Sequence, residues 1–323
     1  MSTLHRWKLN TAGLVAVLAL AACGGGGGGD SPAPAAAVTP ASAPPTALPQ
    51  EPGAPTLLNN VPQDGMNWIN YRRAQAGMPV LTRNELLDRA AAGHSEYQKA
   101  NNIVSHEQTV GKPGFTGVTQ GDRMLAAGYI YNTSTYAYGE VISATSSGSG
   151  FYMAEELITA IYHRFVIFEP KFKEIGTGSA RTSAGYTYFT TNFAATSGYG
   201  PGIGSRNLVT WPFNGQVKVA TNFFSDYEAP DPVPNLNEVG YPVSVHADID
   251  VNVVVQTFTM RPRNGSDLET RLIKAGENTS ARSSPAAAIV PLAVLKANTI
   301  YDVTFTGTLN GIPTTKTWFF TTK

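Results

Sequence analysis

The segment ITAIYHRFVIFEP (158–170) sets His163 and Arg164 side by side inside an otherwise apolar run. Imidazole titrates near neutrality, so a histidine there suits acid–base work or metal ligation, or only a hydrogen bond at a helix edge. Arg164 carries a permanent charge and a fork of donors. Several familiar reactive arrangements are missing from the sequence. It has no H-E-x-x-H pair, no G-x-x-x-x-G-K-[ST] phosphate loop and no paired cysteines, which excludes a zinc protease of the helix-borne kind. SSGSG around Ser149 lacks the G-x-S-x-G frame of a nucleophile elbow. GPGIG (200–204) contains Pro201 and precedes no helical pattern, so it reads as a linker. GENTS from Gly276 stands alone, without supporting context. His246, Asp248 and Asp250 alternate as on one strand face, which reads first as solvated and second as a cation site.

The elements that must position His163 and its neighbours are legible as periodicities. Ala154, Leu157, Ile158, Ile161, Tyr162 and Phe165 recur at helical spacing and predict one helix through FYMAEELITAIYHRF. Glu156, Thr159 and His163 fall on another face of it, so Glu156 either accompanies His163 or faces solvent. Upstream, Met66, Ile69, Asn70 and Arg73 predict a helix that Gly77-Met78-Pro79 ends. Thr82 stands three residues before Glu85, the spacing of a capping box. Leu86, Leu87, Ala90, Ala91 and His94, with Tyr97 beyond, carry the helix that follows.

INYRRAQAGMPVLTRNELLDRAAAGHSEY resembles the opening of the CAP superfamily, the cysteine-rich secretory protein, antigen 5 and pathogenesis-related 1 proteins. Asn70, Arg73, Gly77, Leu81, Ala90 and His94 carry that resemblance, which continues in order through IVSHEQ, GDRMLAAGY, YGEVIS, YHRFVIFEPKFKEIGTGSA and YTYFTTNFA. It implies an α+β fold, an α-β-α sandwich around an antiparallel sheet, over residues 59–196. It also implies a cleft holding His106, Glu140 and His163, with Glu156 as a further acid. Two imidazoles and a carboxylate suit Zn²⁺ or another divalent cation, and equally a hydrogen-bonded cluster without metal. The resemblance makes Arg164 and His94 structural. Relatives bind small molecules or lipids, and many lack an established enzyme activity, so a binding protein for a small-molecule, lipid or glycan ligand is the expectation. The alternatives are a hydrolase using His106, Glu140 and His163 as catalytic groups, and a structural surface protein. Val141 replaces the family's Asn after Glu140, and LITAIY replaces its Trp and Ser-Pro turn; both departures bear on the reaction more than on the fold.

The surrounding chain adds a location. Charged residues are only 14% and the net charge is zero, so no basic stripe offers itself to nucleic acid. Residues 1–22 read as a signal peptide: His5, Arg6 and Lys8 precede an apolar stretch too short to span a bilayer comfortably. LAAC (20–23) resembles the bacterial lipobox, which makes Cys23, the sole cysteine, a lipidation site and a bacterial membrane the anchor. Gly24 tilts that expectation toward the outer membrane. Residues 23–58 are rich in Gly, Pro and Ala and read as a flexible tether. After a linker at 197–206, alternation replaces helical spacing. Tyr301, Val303 and Phe305 share one face, Trp318 and Phe320 another, and Asn310-Gly311 is a hairpin turn. Residues 207–323 resemble a bacterial Ig-like domain, an all-β sandwich and a spacer or adhesion module. The oligomeric state is left open.

Overall fold

In a computed structural model of the chain, the described residues are 15–17, 51–130, 135–276 and 284–323. Cys23 lies outside them, as do nearly all of the expected signal peptide and most of the tether. The exception, β1 (Val15–Val17), pairs in parallel with Tyr136–Tyr138 at a sheet edge.

The first half is helical and mixed. In order come α1 (Val61–Gln75), β2 (Thr82–Arg83), α2 (Glu85–Asn101), α3 (Gln120–Ala126), β3 (Tyr136–Thr145), α4 (Gly150–Thr159), α5 (Ile161–Ile167), β4 (Glu174–Arg181) and β5 (Thr187–Ala195). The sheet runs β1-β3-β5-β4-β2. The central strand β5 is buried along its whole length, and alternation sorts its side chains between two helical layers. Phe189 approaches Gly65 of α1, and Phe193 stacks on Phe172 in the same core. On the opposite face, Thr190 meets Ser95 and Gln98 of α2, and the Asn192 amide oxygen, in the orientation that satisfies its neighbours, accepts from the Ala91 N–H at 3.2 Å. Gly176 and Gly178 of β4 let α2 lie directly on the strand: a Cβ at Gly178 would stand 2.1 Å from the Ala92 nitrogen.

The motif residues of α1 serve as clamps. Asn70 exchanges two hydrogen bonds with the backbone of Leu81. Arg73, fully buried, donates to the carbonyls of Pro79, Ile167 and Glu169 and ties the turn after α1 to the end of α5.

Two expectations about helix ends need correcting. Thr82 does not cap α2; its backbone is engaged in β2, and the Asn84 side chain accepts from Leu86 and Leu87 instead. A capping box does occur, at Thr119 and Asp122 of α3. The helix predicted through residues 151–165 is two helices. Ala160 adopts an extended conformation (φ −68°, ψ 121°) and starts α5 anew.

The second half is all β. One sheet has the order β12-β13-β10-β6, from β6 (Val209–Trp211), β10 (Val243–His246), β12 (Thr270–Lys274) and β13 (Ala286–Pro291). The other has the order β11-β14-β15-β7, from β7 (Gln216–Val219), β11 (Val253–Pro262), β14 (Ile300–Leu309) and β15 (Ile312–Thr322). A separate pair joins β8 (Asn222–Phe224) to β9 (Glu238–Gly240). Tyr301, Val303, Phe305 and Leu309 alternate inward. Asn310 and Gly311 both have positive φ, as a two-residue hairpin turn requires.

The two halves share one apolar core. A single cluster of buried side chains runs from Trp68, Ile158 and Phe168 to Trp211, Val243 and Phe305. Phe168 meets Trp211 edge-on, with ring centroids 5.1 Å apart. The expected linker is clamped too: the amides of Ile203 and Gly204 donate to the Asp248 carboxylate. His246 and Asp248 are therefore not a solvated face. Both are buried, His246 between Phe165 and Phe168, while Asp250 at the surface pairs with Lys171.

Candidate functional site

Glu140 lies on β3, on the same face as Asn192 and toward α2 and α3. Arg123 reaches it from α3: Nη2 donates to both carboxylate oxygens, at 2.8 and 2.7 Å. The Arg123 Nη1 donates to the carbonyls of His106 and Val118, so the same guanidinium holds the loop between α2 and α3. His106, on that loop, donates from Nδ1 to Glu140 Oε1 at 2.9 Å. Asn192, with its amide turned to satisfy its neighbours, adds a donor to Glu140 Oε2 at 3.2 Å.

His94 of α2 stands behind this cluster, with Nε2 3.9 Å from Glu140 Oε1. Its own partners fix its tautomer. Gln108 donates to Nδ1 at 2.9 Å, so Nε2 carries the proton and donates to the Ser105 carbonyl at 2.7 Å.

Electrostatics follow from burial and pairing. Burial alone pushes the Glu140 carboxyl up, but Arg123, His94 and His106 together override it and lower it to about 2. Glu140 is therefore ionised, which places a His106 proton on Nδ1, facing Oε1. Burial lowers His94 to about 4, so it is neutral at pH 7.

The expected metal set is not assembled. Among the described residues no group of three His, Cys, Asp or Glu side chains is arranged to hold an ion. The donor set also argues against one. Both Glu140 oxygens accept from Arg123, both nitrogens of His94 are committed, and the guanidinium occupies the place a cation would need. His106 Nε2 is the one ring nitrogen of the two histidines without a partner, and it is shielded from solvent.

His163 belongs to a different constellation. Its Nδ1 donates to Glu228 Oε1 at 3.0 Å, and Glu228 comes from the β half. The same carboxylate accepts the backbone N–H groups of Ile161, Tyr162 and His163. It thus caps α5, which has no side-chain cap of its own. Arg164 braces the break before α5, donating to the carbonyls of Ile158 and Thr159 at the end of α4. It also reaches across to the Pro242 carbonyl and the Ser244 hydroxyl. Glu156, at the surface of α4, hydrogen-bonds Tyr152 instead of accompanying His163.

Arg123 and Glu228 are the residues that sequence reasoning undervalued. Arg123 stood in the GDR motif without a role, and its helical spacing said nothing about Glu140. Glu228 had no signal at all, being 65 residues from its partner in a segment of another pattern.

Comparison with known proteins bears on the first half. No curated protein matches the chain. Among solved structures, an extracellular SCP-domain protein from Bacillus anthracis is 25% identical, with a TM-score of 0.35 over 42% of this chain and 40% of that one. An outer surface protein from Borrelia burgdorferi is 14% identical, with a TM-score of 0.35 over 41% of this chain and 90% of its own. A cysteine-rich secretory protein from Staphylococcus aureus is 14% identical, with a TM-score of 0.30 over 42% and 38%. The chain thus spans less than half of the Bacillus and Staphylococcus proteins. The sequence profile of the CAP family, described as the cysteine-rich secretory protein family, matches residues 66–193, the segment that carries His94, His106, Arg123, Glu140 and His163: this chain contains a CAP domain.

Proposed function

We propose that this protein is a lipid-anchored envelope protein whose CAP domain binds a small ligand at the His106–Glu140–Arg123 cluster without catalysing a reaction. One observation carries the reading. Two buried nitrogens beside Glu140 have no partner, Arg123 Nε and His106 Nε2, and an ionised carboxylate orients the second from the far side of its ring. A nitrogen so fixed is a preformed hydrogen-bonding group for a ligand. The anchor is Cys23 in LAAC, and no helix among the described residues is long and apolar enough to cross a membrane. Cleavage before Cys23 would remove β1 and leave β3 as the sheet edge. Gly24 favours the outer membrane. The α-β-α sandwich is our reading of the first half, and an Ig-like sandwich our reading of the second, which serves as a support for the CAP domain.

The same geometry supports a second reading, a hydrolase. A carboxylate holding Nδ1–H while Nε2 stays open is half of a general-base arrangement. It lacks an identified nucleophile. Two experiments decide. Fatty-acid labelling of cells should mark the wild type and not Cys23→Ser. The full chain should show ligand-dependent shifts of the His106 ring signals in a screen of fatty acids, sterols and cell-wall sugars, with no turnover of ester or peptide substrates. Turnover abolished by His106→Ala would replace binding with hydrolysis.

A further inference from the structure

A small cavity of about 130 Å³ opens beside this cluster, between α2 and α3. Arg89, Ala90, Thr116, Arg123, Ala126 and Ala127 line it. We infer that this cavity is a binding site for a small monocarboxylate with a compact apolar body. The inference rests on the binding reading above and gives its site a ligand class.

Two features of the lining point to that chemistry. The walls are largely methyl groups and aliphatic stems, which suit an apolar body. A cavity of about 150 Å³ accommodates benzene, so this one takes a branched four-carbon group. The polar features are two guanidinium groups. Arg89 is exposed at the mouth, where it donates to the Ala127 carbonyl. Arg123 is buried at 1% exposure, and its Nε has no partner although both Nη atoms are engaged. A buried, unpartnered guanidinium N–H is costly, and a carboxylate is the acceptor that best relieves it.

Charge sets the valence. Arg89 and Arg123 are opposed by Glu140 at the cluster, which leaves one positive charge for a monoanion. Asp122, the carboxylate of α3, turns back to cap Thr119 and is solvated. A ligand on Arg123 would also be felt at His106, because the same guanidinium holds the His106 carbonyl and the carboxylate that orients its ring.

Isobutyrate, its neutral isostere isobutyramide and inorganic phosphate are the probes, titrated into the full chain by NMR. Isobutyrate should give saturable shifts at Ala126 and Ala127, and isobutyramide should bind at least tenfold more weakly. Arg89→Gln, an exposed change, should weaken isobutyrate about fivefold, and Ala127→Leu should fill the cavity and abolish binding. Equal binding of acid and amide, phosphate equal to isobutyrate, or an unchanged Arg89→Gln would each overturn the inference. His106→Ala separates the two readings. Isobutyrate binding retained in His106→Ala keeps the cavity and sinks the role of His106. No isobutyrate binding in wild type, with His106 still shifted by another ligand, does the reverse.

Discussion

Removing the Arg123 guanidinium would leave the Glu140 carboxylate buried without its largest counter-charge, held only by His106 and the Asn192 amide. Breaking one partner of such a pair costs about 3–5 kcal/mol. Arg123→Ala should therefore lower stability in urea by that amount, and Glu140→Gln added to it should restore a large part. Full additivity of the two changes would show that the pair is not coupled. The pH dependence has a definite sign. Glu140 sits at about 2 when folded, against about 4.3 in an unfolded chain. Its stabilisation is present above pH 4.3 and is lost as pH falls through 2. His94, lowered to about 4 from 6.5, acts the same way over a higher window: the unfolded chain takes up a proton first as pH falls below 6.5. His94→Gln should remove the loss between pH 6.5 and 4, checked by urea midpoints in both proteins. A midpoint of His94→Gln falling as steeply as that of wild type over this window would refute the assignment.

At the scale of elements, the break at Ala160 decides where His163 points. One carboxylate, Glu228, accepts three backbone N–H groups of α5 and the His163 ring. Glu228→Ala should expose those amides, with hydrogen exchange at Ile161, Tyr162 and His163 faster by tenfold or more. Unchanged exchange there would show that α5 holds without its cap. The apolar period through residues 151–165 survives the break, because Leu157, Ile158, Ile161 and Phe165 are all buried. That is why the sequence shows one helix where the structure has two. Periodicity reports which side chains are buried, not the single ψ that interrupts them. By contrast Asn70, Arg73 and Gly77 were legible as a motif, since each answers to a local turn. Glu140 and His106 were legible only through resemblance, and their partner Arg123 only as part of a motif.

At the scale of the molecule, the shared core makes the two halves one folding unit. Trp68, Arg72 and Trp211 illustrate it: the guanidinium lies 4.6 Å from the Trp68 ring centroid and 5.6 Å from that of Trp211, and it pairs with Glu155 and Glu51. Truncation after residue 196 would expose Phe168 and its neighbours, so that fragment should aggregate while the full chain unfolds in one transition. The joint also carries a titrating group. Glu169 is fully buried and accepts from the amides of Lys171 and Ile249. Burial raises its carboxyl to about 8, with Asp248 adding to the rise and the two amides and Arg73 opposing it. The sign is opposite to that of Glu140. An acid whose folded value exceeds its unfolded one contributes stability below pH 4.3 and loses it as pH rises toward 8. Between pH 4.3 and 6.5 this loss runs against the gain from His94. From 6.5 to 8 it stands alone among these three groups and amounts to about 2 kcal/mol, about 1.4 kcal/mol for each pH unit. The wild-type urea midpoint should therefore fall over that range, and Glu169→Gln, which keeps the acceptor oxygen and cannot ionise, should flatten it. A Glu169→Gln midpoint that declines in parallel with wild type would remove Glu169 as the titrating group of the joint.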